Sequence, residues 1–218
     1  MRNEAPLQNR VLPTGEIVAI KERGLLMGNR GGRFHDPMTR TLRQTRRPTQ
    51  WSTKRWISCL TAFKDRKRIV MGHSYTELFF LDEVTALAAG HRPCFECRRE
   101  AAVLFLDALH KAGVHQNTAR QALRVDDVDA LLHGERTQSQ QHPLPCPWQN
   151  LPDGAMVQSA KRFYAVRNCV LYEWRPAGYQ ATDAALINQS AMSLLTPPSI
   201  VKALDAGYAP VWHNSCAT

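Results

Sequence analysis

The sequence predicts an α+β fold made of two small units, each an antiparallel sheet followed by helix, and three observations predict it. Short extended runs bounded by turn residues fall into two groups, one within residues 15–81 and one within 155–174. Helical patterns with start and stop signals follow each group instead of alternating with single strands. Residues 84–93 also align without gaps on 201–210, sharing Val84 with Val201, Ala86 with Ala203, Leu87 with Leu204, Ala89 with Ala206, Gly90 with Gly207 and Pro93 with Pro210. That echo suggests a duplicated sheet-then-helix unit. At 218 residues and 44% apolar content the chain can bury enough core for one domain or two small ones. The expected division is a first unit at 1–136, a proline-rich linker at 137–152 and a second unit at 153–218.

Taken in order, residues 1–14 read as irregular and 15–20 as a short strand. Residues 27–36 hold three glycines and no apolar period, which reads as a loop. Residues 56–63 and 67–71 read as a β-hairpin, with a third extended piece at 75–81. Asp82 can cap a helix that Gly90 ends in the left-handed conformation. A second helix spans 98–112, with Ala102, Phe105, Leu106 and Leu109 at helical spacing and Gly113 closing it. A third covers 126–136. Strands follow at 155–157, 162–166 and 170–174, with a turn at Arg167 and Asn168, and Thr196 caps a final helix with proline in its first turn.

The formal charge of +9 is unevenly placed. Between residues 21 and 68 fourteen cations face only Glu22, Asp36 and Asp65. Arg30, Arg33, Arg43, Arg46, Arg47, Lys54, Arg55, Arg66, Lys67 and Arg68 are the expected nucleic-acid contacts, because guanidinium forks match phosphate geometry. Trp51, Trp56 and Phe63 lie among them as stacking surfaces for bases.

Cys94 and Cys97, separated by Phe95 and Glu96, form a tight knuckle stiffened by Pro93. Two thiols on one turn can face one tetrahedral zinc. The six cysteines are scattered, and Met1-Arg2-Asn3-Glu4 begins no apolar signal core, so a reducing cytoplasm and metal binding are expected rather than disulfides. No apolar run is long enough for a bilayer span, so no membrane partner is expected.

Residues 86–98, Ala-Leu-Ala-Ala-Gly-His-Arg-Pro-Cys-Phe-Glu-Cys-Arg, resemble the zinc-binding N-terminal domain of the Ada DNA-repair protein. The resemblance implies that Cys94 and Cys97 are half of a four-cysteine zinc site, and it favours DNA over RNA as partner. It is close over about twenty residues. In that family two earlier cysteines complete the site and one of them accepts a methyl group from DNA; here only Cys59 lies in the corresponding region as a thiol, and Cys59, His73 and His35 are the candidates to complete the metal site.

Two enzymatic readings stand beside this one. Phe34-His35-Asp36 among arginines suggests a metal-dependent nuclease, with histidine as base and carboxylate as metal ligand. His133 and Glu135 with Cys94 and Cys97 contain the parts of a zinc deaminase in the wrong order, and the plainer reading leaves Glu135 and Arg136 in solvent or paired. The reading preferred is a cytoplasmic, zinc-containing nucleic-acid-binding protein. Its rivals are a nuclease or nucleic-acid-modifying enzyme and a zinc-stabilised protein-interaction module.

Overall fold

The computed structural model describes residues 5–43, 50–114, 123–139 and 141–216. The fold is α+β, with two sheets and four helices longer than one turn among the described residues. No helix among them is long and apolar enough to cross a membrane.

The first sheet contains β1 (Gln8–Val11), β2 (Ile17–Ala19), β3 (Leu26–Asn29), β4 (Ile57–Leu60), β5 (Leu78–Phe80) and β6 (Arg92–Pro93) in the order β2-β1-β5-β3-β4-β6. It is mixed rather than antiparallel throughout, because β1 with β5 and β4 with β6 run parallel. The expected hairpin of 56–63 with 67–71 does not form. β4 pairs instead with β3, placing Met27 opposite Cys59, and residues 64–67 are exposed. Met27, Gly28 and Asn29, read as loop, thus belong to a central strand. Gly28 is required there by its neighbour, since a Cβ would lie 2.3 Å from the Phe80 ring.

The second sheet contains β7 (Met156–Ser159), β8 (Arg162–Arg167), β9 (Val170–Arg175), β10 (Gly178–Thr182) and β11 (Met192–Leu194) in the order β10-β9-β8-β7-β11, all antiparallel. Asn168 and Cys169, both at positive φ, make the two-residue turn whose twist suits adjacent strands. The edge strands β10 and β11 carry no clear alternation and were not anticipated.

Helices α1 (Glu83–Ala88), α2 (Arg99–Lys111), α3 (Val125–Gln138) and α4 (Pro198–Asp205) lie within a residue or two of expectation, except that α4 starts at Pro198. Thr196 is not its cap; its hydroxyl accepts from the Met156 amide at 2.9 Å and ties α4 to β7. α1 and α4 end identically. Gly90 and Gly207 take positive φ, and the amides of His91 and Tyr208 reach back to the carbonyls of Ala86 and Ala203. That is the Schellman ending, satisfying carbonyls the last turn leaves open. The sheets before the two helices differ in strand number and direction, so the aligned residues record a shared helix stop rather than a repeated unit.

Apolar packing crosses the stretch 137–152. One core cluster takes Leu87 from α1, Phe105 and Leu109 from α2, Leu132 from α3, Val157 and Val166 from the second sheet, and Leu204 from α4. Polar ties join the same parts. Asp82 caps α1 through the Thr85 amide at 2.9 Å and also accepts from the Tyr179 hydroxyl and the His213 amide. Glu83 accepts from the Tyr208 hydroxyl at 2.6 Å and the Val211 amide at 2.9 Å, and pairs with Arg98 at 2.6 Å.

Candidate metal centre

Cys59 lies on β4, while Cys94 and Cys97 follow β6. Parallel pairing of Ser58 with Pro93 sets the next residues, Cys59 and Cys94, level with each other. The Cys94 amide donates to the Ser58 carbonyl at 3.0 Å, and the Arg98 amide to the Cys94 carbonyl at 2.9 Å, folding the knuckle back so that Cys97 joins them. The three sulfurs lie within 4.8 Å of one another and form a group that can hold a metal ion. Cys59 and Cys94 are buried and Cys97 is half-buried.

Backbone amides already point at the sulfurs. Glu96 N donates to Cys94 Sγ and Leu60 N to Cys97 Sγ, each at 3.4 Å, an arrangement that favours negative sulfur. Hydrogen bonds from the Cys59 and then the Cys97 thiol, with the Cys97 and Glu96 amides, hold Cys94 far below the ordinary thiol range. The same contact with Cys94, then with Cys97, and burial push the Cys59 thiol up. These contacts bias the cluster toward negative sulfur at Cys94. It opens on a pocket of about 280 Å³ that Arg66, Arg68, Tyr75 and Glu96 also line.

The structure gathers some expected site residues and disperses others. His73 is exposed, its carbonyl accepting from Arg33, and it does not join the thiols. His35 is fully buried with both ring nitrogens engaged, one 2.7 Å from the Thr76 hydroxyl and the other 2.7 Å from the Gly72 carbonyl. It is therefore neither a ligand here nor a poised base. Arg33, Arg43, Lys54, Arg55, Arg66 and Lys67 are exposed and Arg68 half-buried, whereas Arg46 and Arg47 lie outside the described residues. Arg66 is bound by Glu96, and Arg55 stands 3.8 Å from Asp129. Arg30 is a correction: at 2% exposed it is an interior side chain, not a surface cation.

Arg136 is the residue sequence reasoning missed. It was placed in solvent or beside Glu135, yet it is 9% exposed, and Glu135 instead accepts from the Ser199 hydroxyl at 2.6 Å. A signal was present, since Val128, Leu132 and Arg136 follow at intervals of four on one helix face, and the first two are core.

No protein-family model, curated protein or solved structure matches this chain. What the arrangement does chemically is thus read from its own residues: a soft, negatively biased three-sulfur set beside a basic, solvent-reachable pocket.

Proposed function

We propose that the protein is a zinc-containing nucleic-acid-binding protein in which Cys59, Cys94 and Cys97 supply three of the metal's ligands. The observation that carries this reading is the convergence of three sulfurs from a strand and a distant turn, with amides aimed at two of them. Thiolate sets select zinc, copper(I) or iron over magnesium and calcium, and zinc takes three such ligands plus one more in a tetrahedron. The resemblance of residues 86–98 to the Ada domain supports zinc in particular, and DNA over RNA. Bound zinc would replace the thiol protons that the cluster otherwise shares. Nucleic acid is the proposed partner because Arg66 and Arg68 line the sulfur pocket and the exposed Lys64 and Lys67 lie in the same segment, a set of cations that would neutralise phosphate charge. A reducing cytoplasm suits six free cysteines.

The test has two arms. Purified protein should carry about one zinc per chain by mass spectrometry, and Cys59→Ser and Cys97→Ser should each lower that content. Zinc affinity no better than that of a variant lacking all three thiols would end the metal reading. Replacing Lys64, Lys67 and Arg68 together by Ala should weaken binding to mixed-sequence DNA and flatten its dependence on salt. Wild-type protein without affinity for nucleic acid at low salt would end that part of the reading.

A further inference from the structure

Near the carboxyl end of α1 the chain buries two cations that meet no carboxylate. Arg30, just after β3, donates from Nε to His91 Nε2 at 3.2 Å and from a terminal nitrogen to the Gly15 carbonyl at 2.9 Å. His91 Nδ1 lies 3.0 Å from the Ala89 carbonyl, so that nitrogen carries the proton and Nε2 accepts. Arg136 donates to the carbonyls of Gly90, at 2.8 Å, and Lys54. Both guanidiniums stack on the indole of Trp56, 3.9 and 4.0 Å from its centroid. Among the described residues neither forms an ion pair. Asp129, whose field reaches Arg136, is held by Arg92 through two contacts of 2.8 Å.

Two buried cations side by side are costly unless an anion joins them. Burial, joined by the Arg136 charge, pulls Arg30 down to about 9, and burial pulls Arg136 down to about 9. Arg136 Nε and Trp56 Nε1 are buried with no hydrogen-bond partner among the described residues. All three side chains line one cavity of about 520 Å³, a size that suits a small ligand. Glu16, exposed, is the one acid among the described lining residues. Trp51, half-buried, presents a second indole to the cavity, with Gln50 beside it. None of the residues lining the sulfur pocket is shared with this one.

We propose that this cavity binds a small organic phosphate bearing a planar ring, of nucleoside monophosphate size, with the phosphate at Arg30 and Arg136 and the ring against Trp51. A phosphate monoester carries close to two negative charges near neutral pH and so matches two guanidiniums, where a carboxylate brings one. Aromatic stacking accepts any base, and the Gln50 amide can read a ring edge. The site stands apart from the metal centre, and its test leaves the metal question untouched.

Titration with adenosine monophosphate, adenosine and inorganic phosphate, followed by calorimetry and tryptophan fluorescence, tests the assignment. The monophosphate should bind about tenfold tighter than either fragment, the effect of one good charged hydrogen-bond set. Arg136→Gln should weaken it by about ten- to a hundredfold. Should that variant not fold, Trp51→Leu at its half-buried position decides the matter: it should abolish the advantage of the monophosphate over inorganic phosphate while phosphate itself still binds. Adenosine binding as tightly as the monophosphate, or no binding of the monophosphate at millimolar concentration, overturns the proposal. A 5′-phosphorylated oligonucleotide that displaces the monophosphate assigns the phosphate to a strand end, and one that does not assigns it to a free nucleotide; the phosphate site stands in either case. Removing metal with a chelator should leave this affinity unchanged, so failure here and failure of the zinc reading are separate results.

Discussion

At the amino end of α1 the buried acids Asp82 and Glu83 are met by four backbone amides or hydroxyls and one arginine from elsewhere in the chain, besides the capping amide. Near its carboxyl end the buried cations Arg30 and Arg136 are met by carbonyls, two histidines and an indole, but by no acid. Each sign sits at the end of the helix its dipole favours. The difference is in saturation. Charge buried to hold a fold together is surrounded by partners of the opposite sense, whereas the cationic end is left short of one, and it is the cationic end that faces a cavity.

The largest effect should come from removing Glu83. Glu83→Ala leaves Arg98 buried without its carboxylate and should cost about 3–5 kcal/mol in urea unfolding, while adding Arg98→Met to it should restore part of that loss. An unchanged midpoint would mean that the acidic end is no tie at all. Asp82→Ala comes next, at about 1.5–3 kcal/mol, the worth of charged hydrogen bonds plus a cap. Asp82→Asn, which keeps an acceptor oxygen, should lose less.

Acidity should act on the two ends with opposite signs. Burial, then Arg30 and Arg136, depress His91 well below its ordinary value. The unfolded chain therefore takes up the extra proton, and stability present above about pH 6.5 is lost as pH falls toward the folded value, by at most about 1.4 kcal/mol per pH unit. Denaturation at pH 7.5, 6.5 and 5.5 should show that slope reduced in His91→Gln. Burial raises Asp82 instead. Its contribution is whole below about pH 4 and falls as pH rises through the folded value. The smallest effect is expected for Arg55→Ala, under about 1 kcal/mol, because Arg55 is exposed and Asp129 keeps Arg92.

The features legible in the sequence are those written within one turn of chain. Asp82, Gly90 and the spacing of Cys94 and Cys97 state the cap, the stop and the knuckle locally, and Cys59 follows as the remaining thiol in the region. Strand pairing was not legible in the same way. Met27-Gly28-Asn29 looks like loop because the reason for Gly28, the ring of Phe80, lies 52 residues on. Lys67 and Arg68 looked like a hairpin arm, yet the segment, flanked by Lys64 and Met71 at positive φ, forms no strand and β4 pairs with β3 instead. Arg30 was hidden by composition, because an arginine in a basic stretch is usually solvated, whereas Arg136 was marked only by sharing the helix face of Val128 and Leu132; Trp56 lies against both in the interior.

The partners of the acidic end also set a clock. Tyr208, Val211 and His213 follow Glu83 and Asp82 by 125, 128 and 131 residues. At about 5–20 residues per second of synthesis, roughly 6–25 s separate the making of the two carboxylates from that of these three groups. During that interval the nascent first sheet can form, but the start of α1 keeps two acids that water must solvate. Its burial, and with it the closing of the shared core, waits for a segment still to be translated.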